Sequence, residues 1–304
     1  MKIIVAKHFG FCMGVKRAIR LAEEASGKEQ RTTLYHQIVH NEKIIKRMEE
    51  NGIVSSESIP EIDGGAVIIP AHGAPPEVYH EAEEKGLQII DATCPLVLRV
   101  QKIVAELAEE GYFILHLGDP EHDETAGIAG HAGGNFAACG DPEALLALDI
   151  RSDKLALTAQ TTADVEQFEQ LSARLREKHP DLLVKNTICS ATSKRQKAAV
   201  DLAKQSDLFL VLGSGLSANS RRLYDLAVQY CDRAYFLNGA DELQESWLEK
   251  ENSEIKIIGI TAGASTPDET VRDVIVRIKE FVGKNIEVVF TKSSDSEIEL
   301  CLDN

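Results

Sequence analysis

The chain has 304 residues, 43% of them hydrophobic and only 5% aromatic, and carries a net charge of −16. That length supports two or three small domains with substantial cores, and the negative charge argues against a generic nucleic-acid or anionic-membrane surface. The opening MKIIVAKHFG holds a four-residue apolar run, too short for a signal-peptide core, and no later stretch approaches a membrane span, so the cytoplasm is the expected compartment.

In chain order, KIIVA is a predicted strand. Cys12 follows in GFCMGVKRAIRLAEEAS, where Val15, Ala18, Ile19, Leu21, Ala22 and Ala25 trace one helical face. TLYHQIV reads as the next strand, and GAVIIPAHGAPPEV as a strand ending at His72 before turn residues and a helix. The pattern then restarts. LQIID precedes Cys94, YFILHLG is a strand, and KLALTAQTTADVEQF ends a strand at Thr161. A third round runs from DLLVK and Cys189 through LFLVLG to IKIIGITAGASTPDETV, where a strand ends at Ser265. NIEVVFT is a closing strand before the acidic tail SSDSEIELCLDN.

The three rounds share one phase. Twenty-eight residues after Cys12, Cys94 and Cys189 stand His40, His122 and Ser217; thirty residues after them stand Glu42, Glu124 and Asn219. This alternation predicts an α/β fold of three similar α/β domains. The first covers 1–86 (Cys12, His40, His72), the second 87–181 (Cys94, His122, Glu124, Thr161) and the third 182–283 (Cys189, Ser217, Asn219, Ser265); 284–304 form the closing strand and tail. Ligands of parallel α/β units sit at strand carboxyl ends and helix starts, where these polar groups fall. Three copies about a pseudo-threefold axis would bring three thiolates to the centre.

Six cysteines in a chain expected in the cytoplasm read as thiols or metal ligands rather than a disulfide framework. Cys139, Cys231 and Cys301 have no repeat partner and are expected to pack as small apolar residues. Structural zinc normally takes four ligands, whereas a 4Fe–4S cluster on three thiolates keeps one iron open to substrate. His40, His72, Ser217, Asn219 and Ser265 can donate hydrogen bonds to a phosphate or diphosphate, although Asn219 and Ser265 also read as helix caps. Glu124 would repel such an anion, which suggests proton delivery with a pKa raised by burial. Its plainer reading is an acid in the first helical turn, and that reading is kept for Glu42. The residues alone leave open a cluster enzyme on a phosphorylated substrate, such as a hydro-lyase that needs no external electrons, and a non-catalytic metal-binding or redox-sensing module.

Taken as an ordered set from residue 9 to residue 268, GFCMGVKRAI, IVHN, AHG, DATCPLV, QTT, TIC-AT, GS--SANS-RL and TAGASTPD resemble the LytB-type 4-hydroxy-3-methylbut-2-enyl diphosphate reductases of the methylerythritol phosphate pathway. The resemblance implies a trefoil of three α/β domains around a central iron–sulfur site. It implies a 4Fe–4S cluster on Cys12, Cys94 and Cys189, and a diphosphate held by His40, His72, Ser217, Asn219 and Ser265. His122 and Thr161 would lie nearer the substrate hydroxyl, and Glu124 would supply protons. Electrons would come from a donor such as flavodoxin or ferredoxin, and the products would be isopentenyl and dimethylallyl diphosphate. Two departures stand out. The family's H-P-E-V corresponds to GDPEHDETAGIAG, where the repeat phase selects His122-Asp123-Glu124 and puts Asp123 in place of proline. Ala218 stands where a second serine is usual, which removes one hydroxyl donor beside the diphosphate and predicts weaker substrate retention.

Overall fold

Parallel strands buried on both faces read as continuous apolar runs, and AVII at Ala66–Ile69 and LFLVL at Leu208–Leu212 are such runs. The structure, a computed structural model, describes residues 1–26, 31–249, 255–283 and 286–291. It opens with β1 (Lys2–Val5), followed by α1 (Met13–Ser26), β2 (Thr32–Tyr35), α2 (Glu42–Glu50), β3 (Val54–Ser56), β4 (Ala66–Ile69), α3 (Pro76–Glu84) and β5 (Gln88–Asp91). Next come α4 (Pro95–Glu109), β6 (Phe113–Leu117), α5 (Asp123–Ala129), β7 (Phe136–Cys139), α6 (Pro142–Leu146), β8 (Leu155–Ala159), α7 (Val165–Lys178) and β9 (Leu183–Val184). The last elements are α8 (Ser190–Ala203), β10 (Leu208–Leu212), α9 (Ala218–Ala227), β11 (Ala234–Leu237), β12 (Ile257–Ala262), α10 (Asp268–Val282) and β13 (Glu287–Phe290).

The chain divides into two units, Cys12–Thr192 and Met1–Phe11 with Ser193–Asn304. The first unit holds two parallel four-stranded sheets, ordered β3-β2-β4-β5 and β7-β6-β8-β9. The second holds one parallel five-stranded sheet, ordered β11-β10-β12-β1-β13. The same four-strand order therefore occurs three times, with β13 added at one edge. β1, β5 and β9, the strands that lead into Cys12, Cys94 and Cys189, take the same fourth place in their sheets.

This phase differs from the segmentation drawn from sequence, in which each cysteine-leading strand opens a domain. β5 pairs with β4, so Gln88–Asp91 complete the sheet of the first round, and β9 likewise completes that of the second. β1 pairs with β12 and so joins residues from opposite ends of the sequence. The strand predicted over TLYHQIV stops at Tyr35, because His36 turns into the left-handed region at φ 53°. The strand predicted over DLLVK shortens to Leu183–Val184. NIEVVFT is a strand at Glu287–Phe290, while the acidic tail from residue 292 and Cys301 lie outside the described residues.

Helices cover both faces of the sheets. In α10 the buried positions Val271, Val274, Ile275 and Ile278 recur at helical spacing against Ile3, Leu210, Ile258 and Ile260. The other face of that sheet packs Phe209 and Val211 against Leu223 and Ala227 of α9. In the larger unit, Val100, Val104 and Leu107 of α4 meet Ile114 of β6, and Phe168, Leu171 and Leu175 of α7 meet Leu115 and Leu157. Both layers keep the carboxyl ends of the central strands in fixed positions, and the polar groups sit at those ends.

Candidate active site at three cysteines

Each phase-matched cysteine stands at a helix start, where unpaired first-turn amides favour a negative sulfur. Cys12 Sγ accepts from Val15 N–H at 3.4 Å. Cys94 stands at the N-cap position of α4 with extended backbone (φ −60°, ψ 131°), where the Leu96 and Val97 amides act to lower its thiol pKa. Cys189 Sγ accepts from Thr192 N–H at 3.3 Å and lies 3.0 Å from the Thr192 hydroxyl. Of the cysteines without repeat partners, Cys139 packs against the apolar core beside β6 and β8, and buried Cys231 sits within the core of the other unit.

The three sulfurs share one neighbourhood. A Cβ on Gly14 would lie 2.5 Å from Cys94 Sγ and 3.9 Å from Cys12 Sγ, so both sulfurs border a space that only glycine leaves open. Burial pushes the Cys94 thiol up against the lowering pull of its amides, and the sulfurs of Cys12 and Cys189 push in the same direction. Burial also raises the Cys189 thiol, with Cys12 and Glu124 adding to the effect. Among the described residues, the one group of three metal-type donors within 4.8 Å of one another is His40, His72 and Asp123. Three thiolates that act on one another suit a multi-iron core. Three thiols at helix starts, two of them beside the space at Gly14, fit such a core, which would also relieve the burial of charged sulfur.

The loops that carry these thiols are locked. Arg17 of α1 donates to the Asp91 and Thr93 carbonyls at 3.2 and 3.1 Å, and Thr93 N–H donates to Asp91 Oδ1 at 2.9 Å. Cys94 N–H donates to Ala71 O at 2.9 Å, and Cys189 N–H to Thr161 O at 3.0 Å. Each of these cysteines is thus tied to the polar loop of the preceding round. Thr187 Oγ1, which accepts from Ala159 N–H at 2.7 Å, adds a second tie before Cys189.

Beside the sulfurs lies a buried acid. Glu124, 4% exposed, accepts from Thr161 N–H at 2.6 Å and from the Thr161 hydroxyl at 2.7 Å. Burial raises its pKa, and the two Thr161 bonds only partly offset this. Its own amide donates to Nδ1 of His122, the N-cap of α5, at 3.1 Å. Glu121, the acid of the other register, is exposed.

His40, His72 and His122 come together after β2, β4 and β6. The His40 and His72 rings stack at 4.9 Å and 8°, and His122 meets the His40 ring edge-on at 4.8 Å. Asp123 sits among them: its Oδ2 lies 3.3 Å from His72 Nε2 and 3.9 Å from His40 Nε2, and its Oδ1 lies 3.0 Å from His36 Nδ1. Burial acts to raise the Asp123 pKa, but the His36 bond and the nearby imidazoles hold it far below the usual carboxylate range. His72 shifts well below the ordinary histidine range, through burial first and the neighbouring His40 second. Sequence reading missed Arg17, His36 and Thr192; the only trace of His36 was its place four residues before His40.

In the other unit Ser217, Asn219 and Ser265 occupy the corresponding loops and are all nearly buried. Ser217 caps α9, accepting from Ser220 N–H at 3.3 Å. Asn219 Nδ2 is buried with no hydrogen-bond partner among the described residues. Gly213 and Gly263 let this helix start close in, since a Cβ on either would meet Ser220 Oγ at 2.3 or 2.0 Å.

The family described as LytB protein matches residues 3–279. A 4-hydroxy-3-methylbut-2-enyl diphosphate reductase from Pelobacter propionicus is 37% identical over 285 residues, covering 94% of this chain and 100% of that protein. The enzyme of the same name from Helicobacter pylori (strain Shi470) is 38% identical, covering 91% of this chain and 99% of its own. Among solved structures, the E-1-hydroxy-2-methyl-but-2-enyl-4-diphosphate reductase of Plasmodium falciparum is similar at a TM-score of 0.89 with 28% identity, covering 98% of this chain and 93% of that one. A structure of (E)-4-hydroxy-3-methyl-but-2-enyl diphosphate reductase, the terminal enzyme of the non-mevalonate pathway, is similar at 0.66 with 35% identity, covering 92% of this chain and 100% of the other.

Proposed function

The chain belongs to the LytB protein family, and from that membership we propose that it reduces (E)-4-hydroxy-3-methylbut-2-enyl diphosphate to isopentenyl and dimethylallyl diphosphate. The observation that carries the reading is the mutual approach of the Cys12, Cys94 and Cys189 thiols, delivered by three equivalent loops beside a buried acid. These cysteines would hold a 4Fe–4S cluster, which when bound supplies single electrons and an open Lewis-acidic iron. Two electrons and two protons replace the C–OH bond by C–H and release the hydroxyl as water. The electrons must come from an external carrier, for which a flavodoxin- or ferredoxin-type protein is the fitting class.

The chain's own residues bind, orient and protonate. Burial raises the pKa of Glu124 and so favours its acid form relative to an exposed carboxyl, the direction a proton donor needs. In the acid form Glu124 would instead donate through Oε2 to the Thr161 oxygen, 2.7 Å away, and the Thr161 hydroxyl would pass its own proton to the leaving hydroxyl, with His122 adjoining. His40 and His72 would hold the diphosphate by charge-assisted hydrogen bonds. Ser217, Asn219 and Ser265 would add neutral donors, together with first-turn amides of α9 such as that of Ala218. Among the described residues no helix is long and apolar enough to cross a membrane. The five described cysteines are free thiols, which accords with work in a reducing cytoplasm.

The test is turnover by the anaerobic, cluster-loaded protein with dithionite and a mediator dye. Formation of both isomeric diphosphates, dependent on the reductant, is expected. Conversion without any reductant would mark a hydro-lyase instead.

A further inference from the structure

We propose that His40, His72 and Asp123 form a binding site for a divalent transition-metal ion of the zinc class. The three donor atoms lie within 4.8 Å of one another. His72 is 6% exposed, and its Nε2 is buried without a hydrogen bond although it faces Asp123 Oδ2 at 3.3 Å. Tetrahedral ligands about 2.0–2.1 Å from zinc stand roughly 3.3 Å apart, the separation that these two atoms already have. His40 Nε2, 3.9 Å from the same oxygen, has to close by only roughly half an ångström to reach that ligand spacing.

The surroundings are built to hold the carboxylate. Its other oxygen, Oδ1, meets His36 Nδ1 at 3.0 Å, and His36 Nε2 in turn meets the Glu57 carbonyl at 3.3 Å. Outer partners of this kind fix the direction of a ligating group. His36 reaches that position through a left-handed backbone (φ 53°), a conformation few non-glycine residues adopt and one often found where side-chain placement matters. Two imidazoles and one carboxylate match the preferences of zinc, nickel or cobalt, whereas magnesium and calcium take oxygen ligands. The fourth position stays open to water or an anion. The site rests on the two histidines assigned above to the diphosphate, so ion and substrate draw on the same imidazoles, but it does not depend on the reaction.

The test is calorimetric titration of the anaerobic, cluster-loaded protein with zinc chloride. The wild type should bind one ion in this site. Asp123→Asn should bind it at least about tenfold more weakly, since even an outer partner of a metal site contributes about 10–100-fold. Undiminished zinc binding by Asp123→Asn overturns the proposal. Zinc-soaked wild-type crystals give a check that needs no variant: an anomalous peak between His40, His72 and Asp123 is expected, and its absence from that position overturns the site. If the protein fails to load a cluster, an additional peak at Cys94 reports that failure separately.

Discussion

Glu124 and Asn219 occupy the same place in two rounds of one repeat. Both lie thirty residues after their cysteines, both hold the second position of a helix that follows a buried parallel strand, and both are 4% exposed. Glu124 has both oxygens bonded to Thr161, while Asn219 Nδ2 has no partner among the described residues. The scaffold therefore supplies one buried, amide-rich position twice, and a single side chain decides its use. An acid there can deliver a proton; a neutral amide there can receive an anion. Asp123 and Ala218 are equivalent too, one residue earlier in each helix. Both departures from the family pattern thus fall at one repeat position, where the side chain tunes the charge beside the functional group.

The largest effect is expected from the shared ground between the rounds. Gly14→Ala would put a Cβ 2.5 Å from Cys94 Sγ, and complete loss of the cluster absorbance of the anaerobic protein is predicted. Retention of that absorbance would show that the space beside Gly14 is not where the thiols act together. Glu124→Gln keeps shape but removes the acid, so kcat should fall about 10²–10⁴-fold while the cluster spectrum is unchanged. A drop confined to KM would mean that Glu124 anchors substrate as Asn219 is proposed to do, and the contrast would be lost.

The pH profile sharpens the same point. A raised carboxyl pKa means that the active, protonated form persists above the ordinary range and disappears as pH rises through the folded value. The wild-type kcat should accordingly show an alkaline fall that vanishes in the residual activity of Glu124→Gln. Asn219→Ala should raise KM about tenfold or more, on the scale of about 1.5–3 kcal/mol for a hydrogen bond to a charged group, with a smaller effect on kcat. Ala218→Ser is the mildest change. It should lower KM several-fold, as one added hydrogen bond of about 0.5–1.5 kcal/mol implies. An unchanged KM would remove Ala218 from the substrate's surroundings.

The three rounds were readable because the buried parallel strands AVII and LFLVL are uninterrupted apolar runs and LALTA is broken only by Thr158. The edge strands β3, β7 and β11 left no signal, being short and, in β3 and β7, without a fully buried residue. Strand pairing was not readable either. β1 reaches its partner β12 across most of the sequence, so no local pattern reveals that the strand before each cysteine completes a sheet rather than opening one. At the site, the phase rule favours Glu124 over Glu121 from the sequence alone. It could not reveal the bond between His36 and Asp123, because these residues are 87 positions apart and belong to different sheets' loops. Asp123 looked like a lost proline; its meeting with three imidazoles is a property of the fold.

One measurement bears most directly on the claim that three equivalent loops hold one cofactor. It is the absorbance and iron content of the anaerobic protein in a series of single Cys→Ser variants. The cluster signal should vanish in Cys12→Ser, Cys94→Ser and Cys189→Ser and persist in Cys139→Ser. A signal that survives in any of the first three variants, or disappears in the last, would contradict the account.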